Sequence, residues 1–227
     1  MPISLSAARD ETAGTSHRFM PRPIRDGDAP VTLNAQLRAL HGYSSRRHFR
    51  RDETIFGEGG PADCVYKVIS GTVRLCRYPP GGHRHIAGFV LEGDVMGLPE
   101  CTGQPAAAEA VSDVTLLSYP KACVDRARVP CRSPETRHPL FVPGSQGPKE
   151  RLASFLVRLA DRTDLMQGER LDLPMSRQDI ADHLGLAVET IHCALAALKS
   201  SGAISMPGAH ELILSDMRAL RVIAVEN

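Results

Sequence analysis

Residues 177 to 198 read Arg177-Gln-Asp-Ile-Ala-Asp-His-Leu-Gly-Leu-Ala-Val-Glu-Thr-Ile-His-Cys-Ala-Leu-Ala-Ala-Leu198, with Ser176 directly before them. Ser176 suits the N-cap of a helix, and Asp179, three residues on, favours its positive end. Ala181 is small where two helices must cross closely. Gly185 falls at the tight turn, where a positive φ costs a residue with a Cβ more. Ile180, Leu184, Ile191, Leu195 and Leu198 are spaced to bury one face of each of two helices, over 176–184 and 188–199. These constraints predict a helix-turn-helix whose second helix enters the major groove of DNA. An ordinary αα-hairpin places Ala and Gly in the same way. A hairpin pattern over 204–214, turning at Pro207-Gly208, favours the winged form of the DNA-reading motif.

On the second helix the outward positions near its start are Glu189, His192, Cys193 and Ala196. Glu189 suits acceptance of a hydrogen bond from a cytosine amino group, and equally a first-turn acid at the helix dipole. His192 suits donation to a base edge or a phosphate. The residues expected at double-stranded DNA are Ser176, Arg177, Val188, Glu189, Thr190, His192, Cys193 and Lys199. No Lys or Arg lies between Arg177 and Lys199, and residues 149–227 hold nine basic against eleven acidic side chains. Affinity must therefore come from dimer geometry, local donors and helix N-termini rather than from a basic field. Cys193 is also the candidate redox residue, since oxidation to a sulfinate would set negative charge against phosphate. The alternative for it is an inert, half-buried small side chain.

Upstream, Leu152, Phe155, Leu156 and Leu159 follow a helical stripe closed by Asp161-Arg-Thr-Asp164. Before that, Pro130, Pro134, Pro139, Pro143 and Pro148 recur every four or five residues, a spacing that no continuous helix tolerates. From Arg50 to Tyr119 the texture is β. Runs such as Cys64-Val-Tyr-Lys-Val-Ile69 and Thr72-Val-Arg-Leu-Cys76 are separated by Gly- and Pro-bearing turns, which suggests a small antiparallel barrel or jelly roll. A short helical pattern at Leu33, Leu37 and Leu40 precedes it. The expected class is α+β, an N-terminal β jelly roll followed by a C-terminal winged helix-turn-helix. The expected order is a flexible tail over 1–31, the roll over 32–129, a proline-rich linker over 130–148 and the DNA-binding unit over 149–227.

Composition sets bounds on this reading. With 27 Lys+Arg against 26 Asp+Glu, the formal charge of +1 excludes gripping of nucleic acid by bulk charge. Hydrophobic residues make up 42% but aromatics only 4%, with no Trp, so the core must be aliphatic. No apolar run reaches the roughly 18 residues of a membrane span, and the first residues lack the apolar core of a secretory signal. The six cysteines, 64, 76, 101, 123, 131 and 193, form no C-x-x-C pair. A reducing cytoplasm is the expected location, with no disulfide scaffold.

Two stretches of the β region, Phe56-Gly-Glu-Gly-Gly-Pro-Ala-Asp-Cys-Val-Tyr66-Lys-Val-Ile-Ser-Gly71-Thr-Val-Arg-Leu75 and Leu91-Glu-Gly-Asp94-Val-Met-Gly97, stand beside the winged helix-turn-helix. Together they resemble the CRP/FNR family of bacterial transcription regulators, over roughly residues 50–120 and 149–220. The stretch Leu173-Pro-Met-Ser-Arg-Gln-Asp-Ile-Ala-Asp-His-Leu-Gly-Leu-Ala-Val-Glu-Thr-Ile191 is most similar to the FixK/FNR branch, which controls low-oxygen respiration and nitrogen fixation. The resemblance implies a cyclic-nucleotide-binding-like roll, a long dimerisation helix, and a homodimer that reads a palindromic site and works with RNA polymerase as an activator.

Departures narrow the sensor. Cyclic-nucleotide members carry Glu after the glycine matching Gly97 and an Arg-Ser or Arg-Thr pair soon after; here Leu98 and Gln104-Pro-Ala-Ala-Ala-Glu109 stand there. A phosphate would meet no cation. Oxygen-sensing members hold an iron–sulfur cluster on an N-terminal cysteine group, whereas no cysteine precedes Cys64. By elimination the resemblance is to the FixK type, with no bound cofactor. The branch's recognition helix reads Glu-x-x-Ser-Arg against Glu189-Thr-Ile-His192-Cys193, so the guanine-pairing Arg is a cysteine. The prolines of 130–148 occupy the place of the dimerisation helix, as a genuine linker or a misread helix. A member with altered specificity and weak DNA binding is the alternative. The rival class is a cupin-like metal enzyme using His83 and His85; its expected carboxylate is missing, since the first acid after the pair is Glu92. No other catalytic motif is present, and no enzyme activity is expected.

Overall fold

The computed structural model describes residues 37–38, 40–97, 103–127, 147–163, 165–208 and 210–225. The tail over 1–31, most of the linker, Leu33, Leu98, Cys101 and Cys131 lie outside the described residues. Ten strands and five α-helices are described. The strands of the first unit are β1 (Ser45–Phe49), β2 (Thr54–Phe56), β3 (Cys64–Ser70), β4 (Val73–Arg77), β5 (His85–Val90), β6 (Val95–Met96), β7 (Ala107–Ala110) and β8 (Val114–Pro120), closed by α1 (Lys121–Arg126). They form two antiparallel four-stranded sheets, in the orders β1-β8-β3-β6 and β2-β7-β4-β5. This is the expected jelly roll, with one strand more at its start. β1 lies ahead of Arg50, where the sequence Ser45-Arg-Arg-His-Phe49 carries no apolar alternation because four of its five residues are exposed. It pairs along β8, from Ser45 opposite Ser118 to Phe49 opposite Val114.

The period of two along each strand sorts side chains between faces. Val68, Val73, Leu75, Val90, Ala108, Ala110, Val114 and Leu116 fill the space between the sheets. Leu117 and Tyr119 of β8 point the other way and join Leu37, Val65, Val95 and Val124 on the outside of the first sheet. The Ser70-Gly71 turn needs glycine: Gly71 has φ +90°, and a Cβ there would lie 2.3 Å from the carbonyl oxygen of Asp113.

The second sheet's outer face is also apolar. Cys76, Ile86, Phe89 and Ala107 belong to one continuous core with the helical unit. That unit consists of α2 (Pro148–Arg162), β9 (Arg170–Asp172), α3 (Arg177–Leu184), α4 (Val188–Ser200), β10 (Glu211–Ile213) and α5 (Met217–Val225). Pro148, read from the sequence as the last proline of the linker, is the first residue of α2, where its missing N–H costs nothing. The predicted stripe of Leu152, Phe155, Leu156 and Leu159 is the buried side of α2.

The wing differs from the expected hairpin over 204–214. β10 pairs with β9, from upstream of the helix-turn-helix, in the register Glu211 to Asp172, Leu212 to Leu171 and Ile213 to Arg170. Only Ser205 of the expected first strand joins it, by exchanging two hydrogen bonds with Ile213 at 2.9 and 2.8 Å. The pairing with β9 buries both Leu171 and Leu212 completely, whereas Pro207 has no N–H to offer a ladder.

Candidate nucleic-acid interface

The α3–α4 pair has the geometry its sequence predicts. Ser176 Oγ accepts from the Asp179 amide at 3.0 Å, and the Asp179 carboxylate accepts in return from the Ser176 amide at 3.1 Å, a reciprocal capping box. Gly185 ends α3 in the left-handed region at φ 64°. The chain turns through 100° between the helices, within the usual range of about 90–120° for a helix-turn-helix. Ile180, Ala181 and Leu184 of α3 and Ile191, Ala194, Leu195 and Leu198 of α4 are buried.

That burial decides what α4 offers outward. Glu189, His192, Cys193, Ala196 and Lys199 are all exposed, and their spacing of three or four residues puts them on one face. Val188 and Thr190 are half-buried at its start. No side chain caps the N-terminus of α4, so its first amides are free for an acceptor oxygen. Lys199 sits ten residues beyond Glu189, about 15 Å along the axis. Ser176 and Arg177 lie at the start of α3, both half-buried, and burial lowers the Arg177 pKa. The eight expected DNA-facing residues thus fall into a cluster at the start of α4, a pair at the start of α3, and Lys199 alone at the far end. Cys193 is an exposed, unpaired thiol.

Other residues hold this motif in place, and no local pattern in the chain marks them. Arg84, near the tip of the β4–β5 hairpin, donates to Asp182 of α3 through Nε at 2.9 Å and Nη2 at 2.6 Å. The same Nη2 reaches Asp179 Oδ1 at 2.8 Å. Arg74 of β4 donates to Glu109 at 2.9 Å and to Asp52 at 3.1 Å, and its Nη1 lies 3.4 Å from Asp179 Oδ1. Glu109 also accepts from the Tyr78 hydroxyl at 2.6 Å, and chiefly for that reason the Tyr78 pKa is pushed up to about 12. Beside this chain of charges, His183 Nδ1 lies 3.0 Å from the Ile86 carbonyl oxygen. Its ring meets Phe89 and Phe155 edge-on, at 5.4 and 5.5 Å between centroids. Burial, with the charges of Arg158 and His85, holds the His183 pKa below its ordinary value, against the opposing pull of the Ile86 carbonyl.

The rival metal pair is placed differently. His83 lies exposed in the β4–β5 turn and His85 opens β5. Among the described residues no group of three or more His, Cys, Asp or Glu side chains is placed to hold a metal ion.

Two family comparisons cover both units. Residues 150–223 match the Crp-like helix-turn-helix domain, and residues 46–128 match the cyclic nucleotide-binding domain. The nitrogen fixation regulation protein FixK of Azorhizobium caulinodans is 35% identical over 189 residues, covering 76% of each chain. The chain belongs to the CRP/FNR family. A second FixK, from Bradyrhizobium diazoefficiens, is 33% identical over 76% of this chain and 79% of its own. The solved structure of FixK2 from Bradyrhizobium japonicum superposes with a TM-score of 0.74 at 31% identity, covering 81% of this chain and 98% of that one. This CRP/FNR protein is therefore a DNA-binding transcription regulator with an α+β fold, similar to FixK. Among its described residues no single helix is long and apolar enough to cross a membrane.

Proposed function

We propose that this regulator acts in the cytoplasm as a homodimer on palindromic DNA, activating genes of low-oxygen respiration or nitrogen fixation through RNA polymerase. The observation that carries the reading is the exposed face of α4, with Glu189, His192 and Cys193 at its start, in a chain whose relatives are named FixK. The Thr190 hydroxyl and the free amides of α4, that of Val188 first, take phosphate or sugar oxygens, as do Ser176 and Arg177 at the start of α3, while Glu189 and His192 meet base edges. Lys199 gives one phosphate contact at the far end. The chain works by binding alone, with no reaction of its own. Neither cAMP nor an iron–sulfur cluster is needed, since no arginine follows Gln104 where a phosphate would lie and no cysteine precedes Cys64.

Cys193 supports a second element of the proposal, altered specificity. Where the FixK/FNR branch offers Arg to a guanine, this chain offers an exposed thiol, which removes about 1–3 kcal/mol of discrimination at one base pair. The same thiol is the proposed redox residue. Peroxide treatment of the wild type and of Cys193→Ser is expected to weaken DNA binding only in the wild type. Selection from random duplex DNA tests the whole reading: a palindrome of two short half-sites about one helical turn apart is expected, and the absence of any enriched sequence overturns it.

A further inference from the structure

The roll and the helical unit meet across α3, and the contact is made largely of charge. Helix α3 uses Ile180, Ala181 and Leu184 to bury itself in the helical core. Asp179, Asp182 and His183 meet residues of the roll instead. Arg84 forks onto Asp182 and touches Asp179. These side chains are largely shielded, at 25% exposure for Arg84, 16% for Asp182 and 4% for Asp179. The Asp182 carboxylate is further oriented by Gln178, whose side-chain amide donates to Oδ1 at 2.7 Å and leaves Oδ2 to the arginine. Asp179 is committed on its other oxygen to the capping box at Ser176. Both oxygens of Asp179 and of Asp182 therefore have a defined partner, and four directed contacts orient this side of α3 on the roll.

That angle is passed directly to α4. Only residues 185–187 join the two helices, and the left-handed turn at Gly185 and the shared apolar core leave them little freedom. We propose that Arg84 is a positioning residue for DNA recognition, which holds α3 through Asp182 and Asp179 and so sets the angle at which the roll presents α4. The proposal rests on the DNA-binding reading. A dimer whose reading helices are held in this way recognises two half-sites at one spacing. Released from the clamp, each helix-turn-helix still reads a half-site but tolerates several spacings.

The test compares the wild type with Arg84→Gln and Arg84→Lys by two measurements. The first is affinity for duplexes carrying one selected half-site, or two inverted copies at the selected spacing and at one or two base pairs more. The second needs no DNA: the rate at which diethyl pyrocarbonate modifies His183, read by mass spectrometry, reports whether α3 stays docked. For R84Q, half-site affinity should stay within about twofold, discrimination between spacings should fall about tenfold, and His183 labelling should rise about tenfold. R84K should fall between R84Q and the wild type, because an ammonium keeps the charge but not the fork. Wild-type spacing discrimination in R84Q overturns the positioning role, and wild-type labelling overturns the clamp itself. If R84Q loses its cooperative thermal transition, Asp182→Asn is measured in the same way and judged by the same outcomes. A wild type that selects no duplex overturns the DNA-binding reading and with it any use of the clamp in recognition, while the labelling rates still decide whether the clamp exists.

Discussion

Arg84 reaches 98 residues along the chain to Asp182 and meets one carboxylate oxygen with two nitrogens, at 2.6 and 2.9 Å. The same residues bridge two units that match separate domain families. Removing one partner of a shielded pair strands the other charge, a loss of about 3 kcal/mol or more, whereas an exposed pair contributes under about 1 kcal/mol. Asp182→Ala should therefore lower the unfolding free energy by about 2 kcal/mol, part of the full loss being relieved by residual solvent at Arg84 and by its remaining contact with Asp179 at 2.8 Å. Glu211→Ala, which breaks the exposed Arg170–Glu211 pair of the wing, should change it by less than about 0.5 kcal/mol. Urea titrations of the two variants make the comparison.

The joint should also weaken in mild acid. His183 is held neutral when folded, with its pKa below the ordinary 6.5. The groups facing it are His85 and the Ile86 carbonyl from β5 and Arg158 from α2. The unfolded chain therefore binds more protons than the folded one as pH drops below 6.5, so this contribution is complete above that pH and is lost as pH falls toward the folded pKa. Denaturation at several pH values between 5 and 8 should show stability falling on the acid side, and His183→Leu should flatten that fall. A slope unchanged in the variant would place its origin elsewhere.

Ser176 caps α3 through its side chain. Ser176→Ala should cost about 1 kcal/mol, while Ser176→Thr, which keeps a hydroxyl to accept from the Asp179 amide and donate to its carboxylate, should cost much less. Thermal melts of both variants against the wild type decide it.

At Gly185 a Cβ would meet nothing within 4 Å, yet φ is +64°. Gly185→Ala should thus cost only the left-handed conformation, about 1–2 kcal/mol, and Gly185→Asn should recover part of it. Gly71→Ala is the contrasting case, because its Cβ would run into the Asp113 carbonyl; it should fail to accumulate as folded protein.

Cys193→Arg restores a forked donor to the exposed face of α4. Preference for guanine over other bases at one position of each half-site should rise by about 5- to 150-fold, the equivalent of about 1–3 kcal/mol. Titration of the variant against duplexes differing at that base pair measures it, and equal affinities would show that residue 193 meets no base.

The helix-turn-helix was legible because everything that specifies it lies within 23 residues: a cap, its reciprocal acid, a left-handed glycine and two apolar stripes. The strands of the roll were legible for a similar reason, since branched residues between glycine turns mark them one by one. Three elements were harder to see. β1 is mostly polar because it is exposed, so its only signal lies in its partner β8. The wing strand β9, Arg170-Leu-Asp172, does alternate in polarity, but its partner β10 lies beyond the whole reading motif. Helix α5 buries only Leu220 and Ile223, too few to show a period. The joint around Arg84 is a different case. Arginine and aspartate on a strand end and a helix are ordinary solvated residues in sequence, and nothing within ten residues of either distinguishes them from the exposed charges nearby.

The apolar outer face of the second sheet has a practical consequence. Cys76, Ile86, Phe89 and Ala107 are dry only because the helical unit covers them, and a fragment that stops after α1 would present them to water as a sticky patch on a folded roll. Cutting the gene between its two domain families, the obvious way to make a minimal reading module and a minimal sensor, should yield a roll that clumps on expression. The working unit for crystallisation, for grafting onto other promoters and for evolution by domain exchange is the whole chain.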